Sequence, residues 1–465
     1  MSATEADYRR LSLWHATVPG SLAVRPALPG DRDADVAIVG AGYTGLWTAY
    51  YLAALDPSLR IVVLERDIAG FGASGRNGGW CSALYPSSSA KVARRSGRDA
   101  VLALQRELKA TVDEVGRAAA AEGFDAGYAK GGTITLARTK PQLERAKEDL
   151  AVARAWGETE DDQRFLEPSE VDTWMRASSV LGATYTPHCA AIHPARLVRG
   201  LADAVERRGV TIHEGTTVAA IEPGRAVTDR GTLRADIVVR ATEGYTPTIA
   251  GFHRSVIPLY SLMIATEPLS DAQWAEIGLE ARPTFGDERH LIIYGQRTMD
   301  GRIAFGGRGA PYHFGSRVSP SFDHDEGVFA AIRRSLVGLF PSLARVRIDY
   351  QWGGPLAMPR DLLPSVGFDR ERGVGWAGGY VGDGVAMTNL FGRTMADLIL
   401  RRDTDLVRLP FVGHSSPSWE PEPLRWLGVN AGLRFLAVAD AEERRFNRAS
   451  RAGALFWRLF AREPG

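Results

Sequence analysis

The chain has 465 residues, 45% of them hydrophobic and 24% charged, which excludes global disorder and leaves room for two or three domains. Its 56 Lys and Arg side chains face 55 Asp and Glu, a formal net charge of +1, so wholesale binding to a nucleic-acid backbone is excluded as a working reading. Only Cys81 and Cys189 occur, which excludes a disulfide framework, argues against a cysteine-held metal, and reads as two buried thiols in a reducing compartment.

Residues 1–32 read as an irregular lead-in with several prolines. It has no apolar run of signal-peptide length, and no stretch of the chain is apolar over the roughly 18 residues a membrane span needs, so a cytoplasmic protein is expected. Residues 35–39 (DVAIV) form a continuous apolar run, as a parallel strand buried on both faces should. A helix is predicted over 43–55, stopped by Asp56-Pro57-Ser58, and a second buried strand over 60–65 ends on Glu65. Between the first strand and the helix lies GAGYTG, with Gly40, Gly42 and Gly45 in G-x-G-x-x-G spacing. Glycines so spaced serve many turns. Set between strand and helix, with an acid closing the next strand, they read as a dinucleotide site. Gly40 then permits the tight turn, Gly42 admits a pyrophosphate, and Gly45 lets the helix pack on the strand, while the helix start at Tyr43 and Thr44 turns free N–H groups to the phosphates. Glu65, followed by Arg66, is placed to accept from a ribose hydroxyl and would repel a 2′-phosphate.

The loop that follows, Gly72-Ala73-Ser74-Gly75-Arg76-Asn77-Gly78-Gly79, is rich in backbone donors and can wrap an anion or a ring edge, although a flexible surface loop has the same composition. Further on, an amphipathic helix is predicted over 98–122, with Leu102, Leu108, Val112 and Val115 on one face. A strand follows at 132–137, a charged helix at 141–157, a helix at 195–208 and two strands around a turn in 218–240. Strand-like runs at 256–267, 290–294 and 302–306 suggest a second, antiparallel sheet inserted into the first domain. A third glycine turn at 378–384 precedes a helix starting near Val385, whose N-terminus can face a developing negative charge; an ordinary strand–turn–helix reads the same. The tail, 424–462, is amphipathic and helical, with Trp426, Leu427, Leu433, Phe435, Leu436, Phe456, Trp457 and Phe460, and is expected to pack on the cofactor domain or a second subunit.

Taken together the pattern is α/β, and α+β overall. A discontinuous nucleotide-binding domain spans 33–95, 180–250 and 350–405, and a substrate domain spans 96–179 and 251–349, with the lead-in at 1–32 and the helical tail at 406–465.

The three glycine-bearing motifs, in this order, resemble the flavin amine oxidoreductases of the D-amino-acid oxidase type, and most of all the gamma-glutamylputrescine oxidase branch, which shares the GASGRNGG loop and a WGG segment. The resemblance implies a Rossmann-like, glutathione-reductase-type FAD-binding domain with an antiparallel substrate domain, and FAD bound in extended form. It implies that Gly40, Gly42 and Gly45 cradle the pyrophosphate, that Glu65 holds the adenosine ribose, and that Ser74, Arg76, Asn77 and Gly78 line the pyrophosphate and flavin. By the same likeness Val218 meets the adenine through its backbone, Ala241 and Thr242 (with Glu243 and Gly244) lie near the cofactor, and Gly382, Gly384, Val385 and Thr388 form the turn beneath the flavin pyrimidine. The implied activity is oxidation of a primary or secondary amine by hydride transfer to flavin N5, giving an imine that hydrolyses to a carbonyl compound, with oxygen or another acceptor reoxidising the flavin.

Two departures refine this expectation. Amino-acid oxidases of the family use an arginine in a W-x-G-x-R-P segment to bind the substrate carboxylate, but residues 352–357 read Trp-Gly-Gly-Pro-Leu-Ala, and Leu356 cannot form a bidentate clamp. An amine whose polar group lies elsewhere is therefore favoured. Neither cysteine stands at the late position used for covalent flavin attachment, so FAD is expected to be non-covalent. Tyr260, Tyr294, Arg308, Tyr312 and Trp352 are candidates for an aromatic amine pocket, each as readily explained by packing or a surface ion pair. No metal ligand set and no acid–base constellation is visible, and a homo-oligomer is possible. The competing readings are a nicotinamide-dependent dehydrogenase on the same fingerprint and a non-catalytic flavoprotein subunit.

Overall fold

The computed structural model describes residues 3–453; Phe456, Trp457 and Phe460 of the expected tail lie outside them. The first sheet runs in the order Ser365–Asp369, Val374–Gly378, Gly231–Arg240, Arg32–Val39, Ile61–Leu64, Thr211–His213. The four strands from Gly231–Arg240 to Thr211–His213 are parallel to one another, with Arg32–Val39 at the centre between Gly231–Arg240 and Ile61–Leu64. Val374–Gly378 extends the parallel set. Apolar residues on both faces of Arg32–Val39 make it a two-sided core strand, with Val36 and Ile38 packing one way and Ala37 and Val39 the other.

One face of this sheet carries helices Tyr43–Leu55, Arg98–Ala121, Pro194–Arg207 and Gly384–Ile399. Gly392 lets the first and last of these close together, since a Cβ there would stand 2.6 Å from that of Trp47. Residues 218–240 supply three strands, Val218–Glu222, Arg225–Thr228 and Gly231–Arg240, rather than two around a turn; the first two extend antiparallel from the third, which is itself a strand of this sheet. The extra strand is only four residues long, too short to show an alternation of its own.

The second sheet is ordered Ile348–Met358, Ile257–Thr266, Ile303–Gly307, Ile293–Arg297, Thr284–Asp287, Thr133–Ala137, Gly182–Thr186, Arg164–Leu166. It is antiparallel throughout, except where Thr284–Asp287 runs parallel to Thr133–Ala137. Helix Glu326–Leu339 covers its core. Sheet membership departs from the expected boundaries. Helix Arg98–Ala121 buries its apolar stripe in the core of the first sheet, whereas Gly182–Thr186 and Ile348–Met358 belong to the second. Leu102 lies off the buried stripe, whose members are Val101, Leu104, Leu108, Val112 and Val115.

Two further findings concern the termini. The lead-in is irregular only from residue 18 to 31: before that it forms helices Glu5–Arg9 and Leu13–Thr17, the first opened by a capping box on Thr4 and the second capped by Ser12. Five-residue helices are too short for a periodicity signal. In the tail, helix Leu424–Phe446 packs Val429 and Leu433 into one cluster with Ile257 and Met358 of the second sheet, Tyr312, and Val381 of the third glycine turn, so it meets the cofactor domain at that turn. Arg145 and His290 clamp Glu443 near the end of this helix. Among the described residues no helix is long and apolar enough to cross a membrane.

Candidate active site

At the C-terminal ends of the central parallel strands lies a cavity of ≈ 490 Å³. This is where an open α/β sheet leaves its crevice. Gly40 sits at φ +107°, and a Cβ there would come within 2.5 Å of the Ala241 carbonyl oxygen. A Cβ on Gly45 would lie 2.0 Å from the Gly40 oxygen, so no side chain fits where the helix starts against the strand end. Ser74 crosses from the second glycine loop and accepts from the Tyr43 N–H at 2.8 Å, joining the two turns. Thr44 bonds the Tyr380 hydroxyl at 2.9 Å, which ties in the third.

Residues from all three turns line this one cavity: Gly40, Gly42, Tyr43 and Thr44; Gly72, Ala73, Ser74 and Asn77; Gly382, Gly384, Val385 and Thr388. Glu65, Arg66, Val218, Ala241 and Thr242 complete it. The Glu65 carboxylate accepts from the Ala41 and Asp67 N–H groups, yet burial pushes its pKa up to about 7. Arg66 pairs with Asp67 and lies 4.8 Å over the Tyr245 ring.

Four expected cofactor residues do not line the cavity. Gly45 packs under the turn. Gly78 and Gly79 face the second sheet, where a Cβ would strike the Tyr294 ring and the Gln296 amide. Arg76 points away: its side chain is 2% exposed and donates to Asp323 at 2.6 Å, to the Gly353 carbonyl and to the Tyr245 hydroxyl.

The pocket candidates divide in the same manner. Tyr312 is a core residue of the tail contact, its hydroxyl donated to Glu422. Trp352 is 2% exposed and donates its indole N–H to the Arg76 carbonyl. Tyr260 is buried among apolar residues, its hydroxyl engaged with the Ser319 backbone. Tyr294 bonds Ser261 at 2.7 Å and lies against Gly78. Arg308 comes nearest. It donates to the Val381 carbonyl, and its Nη2 and the Leu356 Cδ1 approach one point beside Gly382, at 2.8 and 3.5 Å from where a Cβ would be. The neighbouring Asp383 is raised by burial to about 6, with Arg308 drawing it back. Sequence reasoning missed Tyr245, Tyr380 and Pro355, all on the cavity wall, although the first two stand inside or beside motifs already singled out. Both cysteines are buried and neither lines the cavity. Among the described residues no cluster of side chains could hold a metal.

This wall fits a dinucleotide: glycines where a phosphate must approach main chain, a helix start, and a carboxylate at the second strand end. Comparison with known proteins agrees. Residues 35–398 match the DAO family model, FAD dependent oxidoreductase. The chain is 32% identical to a probable oxidoreductase, OrdL, of Rhizobium meliloti over 408 residues, covering 85% of this chain and 89% of that one. It is 29% identical to gamma-glutamylputrescine oxidoreductase of Escherichia coli, covering 80% and 84%. The crystal structure of glycine oxidase from Geobacillus kaustophilus superposes with a TM-score of 0.68 at 24% identity, over 82% of this chain and 99% of that one, which shows the shared fold. The family match sets aside a nicotinamide-dependent dehydrogenase, and the chain belongs to the DAO family of FAD-dependent oxidoreductases.

Proposed function

We propose that this protein oxidises a C–N bond of a primary or secondary amine, the resulting imine hydrolysing to a carbonyl compound while oxygen or another acceptor takes up the electrons. The observation that carries the reading is the convergence of three glycine turns on one cavity in a chain of this family. Relatives named for gamma-glutamylputrescine and for glycine support an amine as the substrate class. In this assignment Gly40, Gly42, Tyr43 and Thr44 hold the pyrophosphate, Glu65 the ribose and Val218 the adenine, and Gly382 to Thr388 carry the flavin end. Bound there, FAD supplies the acceptor for a hydride from the carbon beside the amine nitrogen.

The chain's own residues do the rest. Pro355, Leu356 and Tyr380 give an apolar wall that disfavours the ammonium form of the substrate and excludes water. Leu356 offers no carboxylate clamp, so orientation falls to other groups. The Arg308 guanidinium, steadied by the Val381 carbonyl, offers charge-assisted donors to an acidic group remote from the reacting nitrogen. Glu243 accepts from the Ala357 and Gly379 N–H groups and so pins the third turn to the strand that carries Leu356. Since neither cysteine reaches the cavity, the FAD is held without a covalent bond to sulfur, and acid denaturation should release all of the yellow colour.

Anaerobic mixing with polyamine derivatives, N-methylated amino acids and phosphonate-bearing amines tests the proposal. Bleaching of the flavin by at least one of them is expected. A folded, yellow protein that none of them bleaches would favour a subunit without turnover.

A further inference from the structure

We infer that Trp14, on the lead-in helix Leu13–Thr17, is the residue that positions the 72–79 loop of the cofactor site. The family match starts at residue 35 and so does not include this helix. It is nonetheless among the most buried parts of the molecule, with Leu13, Trp14 and His15 each 1% exposed or less.

The contacts fall on one loop. The Trp14 indole N–H donates to the Asn77 carbonyl at 2.8 Å, and the Trp352 indole N–H donates to the preceding carbonyl, that of Arg76, also at 2.8 Å. The two rings meet edge to face, 6.2 Å between centroids, so the lead-in and the second sheet grip consecutive peptide groups from opposite chain segments. Asn77 closes the loop on itself, donating to the Ala73 and Ser74 carbonyls and accepting from the Gly79 N–H, and it lines the cavity. His15, bonded to Ser12 at 2.9 Å, lies where a Cβ on Gly75 would come within 2.7 Å of its ring. Burial, with Arg76 and Arg199 nearby, holds that imidazole neutral. Thr17 bonds His193, the residue that caps helix Pro194–Arg207, so the clamp is anchored on the cofactor side.

A loop with four glycines in eight residues has much conformational freedom to lose. Fixing the Asn77 carbonyl on Trp14 also sets its peptide plane, which turns the Gly78 N–H the opposite way. Gly78 itself does not line the cavity; Asn77, whose side chain holds the loop closed, does. Trp14 thus acts through the loop backbone rather than by touching the cofactor.

The inference rests on the cavity being the FAD site, and the test separates the two. The full-length apoprotein is titrated with FAD by flavin fluorescence, the spectrum of the bound flavin is recorded, and apoprotein melting is followed in parallel. Wild-type apoprotein that takes up no FAD fails the site reading, not this one. Trp14→Phe keeps an aromatic ring but removes the donor, and should weaken FAD about tenfold and shift the bound-flavin absorption. Leu13→Ala opens a void in the same cluster without touching the loop; it should lower the apoprotein Tm at least as much, yet leave FAD affinity within about twofold of wild type. Should Trp14→Phe not fold, Ser12→Ala, which releases the His15 ring from its partner beside Gly75, is expected to weaken FAD about threefold. Unchanged affinity and spectrum in the donor-deleted protein, or an equal loss in Leu13→Ala, overturns the inference.

Discussion

Around the ends of Arg32–Val39 and Ile61–Leu64 the cavity wall is main chain: glycines at 40, 42 and 72, a helix start, and N–H groups shared with Ser74 and Glu65. Around Tyr294 and Arg308, beside the cavity rather than lining it, the contacts are made by side chains: Tyr294 meets Ser261 and Trp80 across strands, and Arg308 reaches the Val381 carbonyl. A main-chain wall depends on the absence of Cβ atoms at fixed local spacing. A side-chain contact depends on register between strands far apart in sequence, as where Ser261 meets Tyr294 across 33 residues. The first kind leaves little slack to mutation, while the second can be retuned one residue at a time.

The largest expected effect tests the first half of that contrast. Gly45→Ala drives a methyl group onto the Gly40 carbonyl, where only backbone can move aside. It should cost about 3 kcal/mol or more and abolish FAD retention on gel filtration. A yellow, stable Gly45→Ala protein would show that the turn has slack after all. Next is the strut that joins the two regions. Asp323→Ala leaves the Arg76 guanidinium, 2% exposed, without its carboxylate. With the Asp323 side chain 21% exposed, breaking the pair should cost about 3 kcal/mol, the low end for a buried pair, read as a fall in chemical-denaturation midpoint.

The same contrast explains what was legible in the sequence. The central strands, the three glycine turns and Glu65 were readable because each demand falls on neighbouring residues. Arg76 was misplaced because the motif shows that an arginine is present but not which way it turns. Its direction is set by Asp323 and Gly353, more than two hundred residues away. Tyr312 and Trp352 looked like pocket aromatics, and nothing local signals that Glu422 or the Arg76 carbonyl would claim their polar atoms. The lead-in helices were invisible since each is a single turn or so, stabilised by tertiary burial rather than by propensity.

The second half of the contrast predicts a selective effect. Arg308→Met should raise KM about tenfold for amines that carry a remote acidic group and leave neutral amines unaffected, as expected for loss of one charge-assisted contact. Equal change for both classes would place Arg308 in the structure of the third turn rather than in recognition. Smaller again is a pH effect at the main-chain wall. Glu65 is raised from about 4.5 to about 7 by burial, so between those values the folded apoprotein holds a proton that the unfolded chain has lost. Its contribution is therefore full below about pH 4.5 and fades as pH rises through 7. Apoprotein Tm should fall over that window, and the fall should be shallower in Glu65→Gln.

The smallest effect is expected at Glu443, near the end of helix Leu424–Phe446, whose partners do not line the cavity. Burial alone would raise the Glu443 carboxyl, but hydrogen bonds from His290 and Arg145 overcome it and hold the pKa down to about 2. The sign is opposite to that of Glu65: this group adds stability above the ordinary carboxylate value and loses it as pH falls from about 4.5 toward 2. Glu443→Gln should lower Tm modestly at neutral pH, and the gap to wild type should close on acidification. FAD affinity should not change, since the partners of Glu443, Arg145 and His290, do not line the cavity. A loss of FAD in Glu443→Gln would mean that the two regions are coupled through the second sheet, and that the division drawn between them is too sharp.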